Sequence, residues 1–199
     1  MIVRRRLAPL SLVCALVCAL ALACTPAIAA AARAAPVHIE HDVPQARLAG
    51  SGNFTWFALK IYSAELWVGP QGYGPTAPFA LDLRYARKLN GRKIAEASVE
   101  QMEKIGAGSA SERRAWLQKM TAIFPDVQEG SRITGVFAPG EGARFYLDGK
   151  PMATINDAGF ARAFFGIWLD PNTTAPALRA ALLKEAGPRG IEQREGGPP

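Results

Sequence analysis

The sequence predicts an α+β domain built on a largely antiparallel sheet. Three observations carry this prediction: strand-like segments lie on both sides of the middle of the chain, two amphipathic helical segments separate them, and Asp148-Gly149 joins two of the later strands. Gly accepts the positive φ that a tight hairpin turn needs, so Asp-Gly between apolar segments indicates an antiparallel pair. Strands grouped around helices, without regular β–α alternation, are typical of the α+β class.

Alternation of apolar and polar residues predicts the strands. Residues 37–43 alternate, and the pattern predicts a strand whose apolar face carries a partly buried His41. The aromatic-rich stretch 50–69 is too long for one strand and predicts two antiparallel ones. Further strands are predicted at 79–87, 131–139 and 143–155.

Helical periodicity appears in the middle of the chain and near its end. Residues 91–106 place Ile94, Ser98, Met102 and Ile105 on one stripe. The next helix begins with Ser109 and Glu112 in capping-box spacing and ends at Pro125. A third helix, 157–171, is apolar almost all round and is expected to be buried, and a short one begins near Thr174.

Residues 1–29 are expected to be a secretory signal peptide. Three arginines precede an apolar run of eighteen residues, and Ala27-Ile28-Ala29 offers the small-x-small cleavage pattern. An uncleaved anchor is the alternative, because about eighteen apolar residues just span a bilayer. Cleavage implies a periplasmic protein without a stable membrane anchor. The domain is then expected at 36–185 and a disordered, Gly/Pro-rich tail at 187–199.

Loss of this leader changes the chemistry of the chain. It removes all three cysteines, which excludes disulfides, thiolate nucleophiles and Cys-ligated metals from the mature protein. It also removes three arginines, so the formal net charge falls from +6 to +3. That charge, without basic residues interleaved with aromatics, is not typical of nucleic-acid binding. We therefore expect no nucleic-acid partner and no cofactor.

The sequence offers few groups for catalysis or metal binding. His38 and His41 are the only histidines, and residues three apart on a strand point to opposite faces, so they would not share a metal. The sequences GSG and GYG lack the further Gly and the strand–helix context of a phosphate-binding loop. We expect no metal site and no catalytic residue.

Three segments, 48–68, 85–106 and 156–183, together resemble the chalcone isomerase-like proteins, in particular the exported bacterial branch. The most specific pieces are Gly50-x-Gly52 followed by Lys60-Ile61-Tyr62, and Phe160 followed by an Ile-Trp-Leu run and a Pro. This resemblance implies an open-faced β-sandwich, in which helices pack on one side of a large antiparallel sheet. It also implies a ligand cleft between sheet and helices.

The plant enzymes of this family close a flavanone ring with an Arg, two Thr, a Tyr and an Asn. Local matching places the Arg on Phe54, the first Thr on Tyr62 and the last Thr on Ile167, and the Tyr and Asn on Asn90 and Ala97. No identity is retained, and Phe54 and Ile167 have neither a cation nor a donor for a developing oxyanion. The resemblance therefore implies a domain without chalcone cyclisation activity.

The leading hypothesis is an exported, non-catalytic protein with an apolar cleft for a small lipid-like or aromatic ligand, since some non-catalytic relatives bind fatty acids. The expected ligand-binding residues are Phe54, Tyr62, Arg87, Asn90 and Ile167. Arg87, in line with Tyr85 on the apolar face of its strand, would hold the carboxylate of an acidic ligand. The simpler alternative for Arg87 is a side chain that reaches solvent where the strand ends.

Two other functions stay open at this point. One is an isomerase or lyase that acts on another substrate through Tyr62, Asn90 and Arg87 in the same cleft. The other is a structural partner in an envelope complex, with the tail as its contact. The resemblance names no protein partner.

Overall fold

A six-stranded antiparallel sheet is the frame of residues 33–189, the part of the chain that the computed structural model describes, and five helices pack against it. The predicted leader 1–29 and residues 190–199 of the predicted tail lie outside this part. The strands pair in chain order: β1 (Arg47–Trp56), β2 (Leu59–Val68), β3 (Phe79–Tyr85), β4 (Arg132–Ala138), β5 (Gly142–Leu147) and β6 (Lys150–Ile155). The helices are α1 (Val37–Asp42), α2 (Gly91–Lys104), α3 (Ala110–Ile123), α4 (Ala158–Leu169) and α5 (Pro176–Leu182). This α+β architecture confirms the predicted fold class.

The predicted helix and turn signals form as expected. The Ser109 hydroxyl accepts a hydrogen bond from the Glu112 amide at 3.3 Å, and the Glu112 carboxylate accepts one from the Ser109 amide at 2.7 Å, which completes the capping box of α3. Asp148 and Gly149 have φ of 50° and 81° and join β5 to β6. The two residues therefore form the tight turn that the sequence predicts. No helix of residues 33–189 is both long and apolar enough to cross a membrane.

The prediction of a strand at 37–43 was wrong, because this segment forms α1. Ile39 and Val43 are fully buried, whereas Val37 is 87% exposed and the His41 side chain is 80% exposed. Residues four apart share a face in both a strand and a helix, so the buried pair fits either period. Only the exposure of Val37 and His41 distinguishes the two, and it corrects the expected burial of His41.

The inner face of the sheet carries the main core. Phe79, Leu81, Leu83 and Tyr85 of β3 all point to this side, as their alternation predicts, and they meet buried residues of α4. Phe79 contacts Phe165 of α4 edge to face, with ring centroids 5.1 Å apart. Eight of the twelve residues of α4 are buried, which explains why the helix is apolar almost all round.

The outer face is covered in part by α1 and contains a buried polar cluster, which we call the Asp82 cluster (Asp82, Arg132, Thr134 and His38). The Thr134 hydroxyl donates to Asp82 Oδ1 at 2.7 Å, and Arg132 Nε donates to Asp82 Oδ2 at 3.1 Å. His38 Nε2 lies 3.0 Å from the Thr134 hydroxyl and links α1 to the sheet. Asp82 is only 3% exposed, so these partners satisfy a carboxylate that water does not reach.

His38 should make the stability of the protein fall as the pH drops below about its ordinary pKa of 6.5. Burial is the main cause that lowers the pKa of His38. The Asp82 and Asp42 carboxylates raise this pKa and the Arg132 guanidinium lowers it, and the net shift is downward. The unfolded chain therefore binds a proton at a pH where the folded protein does not, so the free energy of unfolding rises with pH across that window. Urea unfolding between pH 5 and 7 should show this slope in the wild type and a smaller one in His38→Gln. Identical slopes would contradict this role of His38.

The Gly50-x-Gly52 motif marks the place where α5 lies directly on β1. A Cβ at Gly50 would stand 2.1 Å from the Ala181 carbonyl oxygen, and one at Gly52 would stand 2.6 Å from Leu178 Cδ1. Close packing of a helix on a strand therefore requires Gly50, where the clash is with backbone, and favours Gly52, where the end of a Leu side chain would have to move. The packing of α5 on β1 therefore accounts for the Gly-x-Gly motif, and no phosphate-binding role is needed to explain it.

Gly50→Ala should destabilise the protein by about 1–3 kcal/mol, the range for overpacking a well-packed site. The added methyl group would meet backbone atoms of α5, which cannot turn aside as a side chain can. Gly74→Ala is the matched control, since a Cβ there would have nothing within 4 Å. Urea unfolding of both variants tests the packing, and a neutral Gly50→Ala would contradict it.

Candidate functional site

A cavity of about 340 Å³ opens between the inner face of the sheet and helices α2 and α4. Its floor is formed by side chains of β1, β2 and β3, and its roof by α2 and α4. Most of the wall is apolar: Phe54, Ile61, Leu83, Ile94, Phe164 and Ile167 all line it. Such a volume and lining are typical of small-molecule sites in proteins.

A β-bulge widens the floor of this cavity. Phe54 pairs with Tyr62 and Thr55 pairs with Lys60, so Ile61 is an extra residue in β2. Because the bulge interrupts strict alternation, the consecutive residues Ile61 and Tyr62 both line the cavity. Across from them α2 presents Ala97, a small residue that leaves room under the helix.

Three aromatic rings form a row along the floor. The rings of Phe54 and Tyr62 are stacked, with centroids 5.1 Å apart and planes at 17°. Tyr62 then meets Tyr85 edge to face at 6.0 Å. Trp168 of α4 reaches down to this row and donates its Nε1–H to the Tyr62 hydroxyl at 2.9 Å. The row is therefore fixed from above by a helix and from the side by stacking.

The two phenol groups of this row are neutral hydrogen-bond donors. Burial raises the pKa of Tyr62 and of Tyr85 well above the ordinary value for tyrosine. The Trp168 N–H occupies a lone pair of the Tyr62 oxygen, so the Tyr62 proton stays available. Tyr85 is 4% exposed and lines the cavity, and its hydroxyl has no hydrogen-bond partner among residues 33–189. This hydroxyl is open to the cavity and is not enclosed by protein, so it can donate to water or to a ligand oxygen there.

Charged side chains are confined to the α2 side of the cavity. Lys93, Glu100 and Lys104 line it, and all three are exposed. Lys93 Nζ lies 3.0 Å from Glu96 Oε2, whereas Lys104 forms no ion pair within residues 33–189. The solvent-facing edge of the cavity, which we call the mouth, therefore carries Lys104 as its one ammonium group without an ion pair among residues 33–189, because Glu96 pairs with Lys93.

The structure brings only some of the predicted site residues together. Phe54, Tyr62 and Ile167 all line the cavity, whereas Arg87 and Asn90 do not. β3 ends at Tyr85, and Arg87 lies in a bend, so the alternation that would align it with Tyr85 does not continue. In this respect the expected position of Arg87 was wrong.

Asn90 instead caps α2. Its side-chain oxygen accepts from the Lys93 amide at 3.3 Å, and its Nδ2 donates to Asp126 Oδ1 at 2.7 Å. Both ends of the amide are thus engaged in holding the start of the helix. A ligand role for Asn90 has no support in this geometry.

Three groups of the site were not predicted from the sequence: Trp168, Lys104 and the hydroxyl of Tyr85. A signal for Trp168 existed, because an indole N–H in a buried helix needs an acceptor and Tyr62 is a fitting one. Lys104 follows from helical spacing, since it lies four and seven residues after the lining residues Glu100 and Ala97. Nothing in the pattern of β3 distinguished Tyr85 from a core residue.

The lining offers little for covalent or metal chemistry. The Ser98 hydroxyl donates to the Ile94 carbonyl at 2.8 Å, so a helix backbone group occupies it. No group of three or more His, Cys, Asp or Glu side chains within residues 33–189 could hold a metal ion. What the cavity does present is apolar surface and two phenol donors.

Comparison with known proteins places this geometry in a family. A family model described as chalcone isomerase-like matches residues 31–184, more than half of the chain. The protein belongs to the chalcone isomerase-like family. The resemblance seen in the sequence is thereby confirmed.

Two relatives extend this assignment. An uncharacterized protein of Haemophilus influenzae is 28% identical to this chalcone isomerase-like chain over 135 residues, which span 67% of this chain and 66% of that protein. The crystal structure of a fatty-acid binding protein of Arabidopsis thaliana superposes with a TM-score of 0.60 and covers 72% of this chain and 89% of its own. At 14% identity, the likeness to the plant protein concerns the fold.

Proposed function

We propose that this chalcone isomerase-like protein binds a small lipid-like or aromatic molecule in the cavity and does not convert it. The observation that carries the proposal is the apolar cavity to which the Tyr85 hydroxyl is open, without a protein partner among residues 33–189. An apolar ligand that carries one acceptor oxygen would fill the cavity and satisfy this group together with the Tyr62 proton. The fold neighbour in Arabidopsis, a fatty-acid binding protein, supports a ligand of this class.

The distribution of charge sets the orientation of an acidic ligand. Burying a carboxylate beside Phe54 and the two tyrosines would be costly, because the cations of the cavity are Lys93 and Lys104 at the mouth. We therefore place the apolar body of the ligand along the aromatic row and any carboxylate at Lys104, so the tyrosine hydroxyls pair with a second oxygen of the ligand or, for a simple fatty acid, with water. This assigns to Lys104 the part that the sequence suggested for Arg87.

A second candidate is an isomerase or lyase that acts on a substrate other than a chalcone. The specific observation in its favour is the pair of neutral phenols, which could donate hydrogen bonds to a developing oxyanion. The match to the plant enzymes argues against this candidate. Phe54 stands where they have the catalytic Arg and Ile167 where they have a catalytic Thr, and neither side chain can stabilise an oxyanion. Turnover of any bound ligand that is lost in Tyr62→Phe would favour this candidate over simple binding.

Export through the leader is also part of the proposal. The basic start, the apolar run and Ala27-Ile28-Ala29 support a cleaved signal and a periplasmic protein. The intact mass of the protein from its own cells should correspond to a chain that begins near Ala30. A mass that retains residues 1–29 would remove this part of the proposal.

Tyr85→Phe should weaken a carbonyl-bearing ligand by about 0.5–1.5 kcal/mol, the value of one hydrogen bond. A flavanone and the matching flavan, which lacks the carbonyl, form a suitable pair of probes for calorimetry. The variant should lose affinity for the flavanone and keep its affinity for the flavan. Tyr73→Phe is the control, because Tyr73 is partly exposed and does not line the cavity. Equal losses for both probes would overturn the role of Tyr85.

A further inference from the structure

The turn between β1 and β2 exposes a concentration of large apolar side chains. Trp56 is 59% exposed, Phe57 84% and Leu59 51%. Among the other large apolar residues of the described chain, Val37 is 87% exposed and Tyr73 only 37%. We call residues 56–60, which end with Lys60, the aromatic hairpin tip. Exposed apolar clusters of this kind mark interaction sites more often than chance.

The two residues at the turn of this tip do not suit its backbone geometry. Phe57 and Ala58, the two residues between the strands, have φ of 46° and 60°. Two-residue turns with both φ positive strongly favour Asn-Gly, and positive φ is disfavoured for residues such as Phe. A turn with the same geometry would form more readily with polar residues, so the folded state does not explain the apolar side chains. A contact with something outside the chain would account for them.

The tip is continuous with the cavity. Trp56 lines the cavity and also contacts Phe57 edge to face, with ring centroids 5.1 Å apart. Positive charge accompanies the tip: Lys60 belongs to it and Lys104 lies at the mouth, whereas Lys93 of the mouth is paired with Glu96. Glu100 is the one acidic residue among the described residues of the lining. Apolar side chains flanked by lysines match a surface that is apolar below and anionic above.

We propose that the aromatic hairpin tip inserts into the interface of a lipid bilayer with anionic headgroups and brings the mouth of the cavity to the membrane. Trp favours the headgroup level of a bilayer, and lysines near the surface gain from anionic lipid. A bilayer fits better than a protein partner, because the tip is a projecting turn that would otherwise need a matching pocket. The inference goes beyond ligand binding, since insertion requires no occupied cavity.

The double substitution Phe57→Asn, Ala58→Gly tests the tip without weakening the turn. It creates the residue pair that this geometry favours, so the thermal unfolding midpoint should stay the same or rise. Neither residue lines the cavity, so ligand titrations should match the wild type. Co-flotation with vesicles of equal parts phosphatidylglycerol and phosphatidylcholine should show wild-type binding that falls about tenfold or more in the variant.

Two controls make this result specific. Val37→Ser removes another exposed apolar side chain, 87% exposed on α1, and should leave vesicle binding unchanged. Vesicles of phosphatidylcholine alone should bind the wild type several-fold more weakly, because they lack the anionic headgroups that attract lysines near the surface. The proposal is overturned by a wild type that does not float with anionic vesicles. It is also overturned by a folded double variant that floats equally well. Binding of the tip to a protein partner, without binding to vesicles, would overturn it too. None of these outcomes depends on whether the cavity binds a ligand.

Discussion

Ala97→Trp is expected to lower the affinity of the cavity for a long-chain fatty acid by about 10- to 100-fold. Ala97 lines the cavity from α2 and is itself exposed, so an indole there can enter the cavity without displacing core side chains. The ligand then loses the burial of one side-chain-sized apolar group, about 1.5–3 kcal/mol. Displacement of a fluorescent fatty acid would measure the loss.

Ala122→Trp is the matched control for this variant. Ala122 is an exposed alanine of α3 that does not line the cavity, so the same added ring should leave fatty-acid affinity unchanged. Both variants should unfold at midpoints close to that of the wild type. Equal affinity in the wild type and Ala97→Trp would mean that fatty acids bind elsewhere on the protein.

Asp82→Ala should destabilise the protein by about 3 kcal/mol, the low end of the range for breaking a buried ion pair. The substitution leaves the Thr134 hydroxyl and the Arg132 guanidinium without their acceptor on the outer face. The low end applies because the Arg132 side chain is 30% exposed and can turn to water. Urea unfolding at pH 7 would measure this cost.

Asp82→Asn separates the charge of this residue from its shape. The amide can still accept from Thr134, so we expect it to cost less than Asp82→Ala. Ligand affinity should be unaffected in both variants, because the Asp82 cluster and the cavity lie on opposite faces of the sheet. A loss below about 1 kcal/mol in Asp82→Ala would contradict the buried pair as described.

The elements predicted correctly from sequence have local chemical causes. The capping box at Ser109 and the Asp148-Gly149 turn are set by residues within a few positions of each other. The segment that became α1 has no such local cause, because Ile39 and Val43 fit either period. Its helical state depends on packing against the outer face, including the contact of His38 with Thr134 ninety-six positions away. Neither helix propensity nor the hydrophobic pattern of residues 37–43 indicates that contact.

The site divides in the same way. Phe54, Tyr62 and Ile167 were found through the family resemblance, which carries the positions of a cleft even where the catalytic side chains have changed. Arg87 was placed by extending the alternation of β3, and it was misplaced because the strand ends at Tyr85. The unpartnered hydroxyl of Tyr85 depends on what surrounds it in three dimensions. The sequence alone therefore indicated residues that line the cavity better than it indicated the chemistry of the cavity.

The most direct test of the binding function is native mass spectrometry of the protein purified from its own cells. We predict a stoichiometric small-molecule adduct that is released on denaturation, is apolar and carries at least one oxygen. The adduct should be strongly reduced in Ala97→Trp and retained in Ala122→Trp. A wild type without an adduct that also fails to take up a long-chain fatty acid or a flavanone would contradict the account, as would equal adducts in the wild type and in Ala97→Trp.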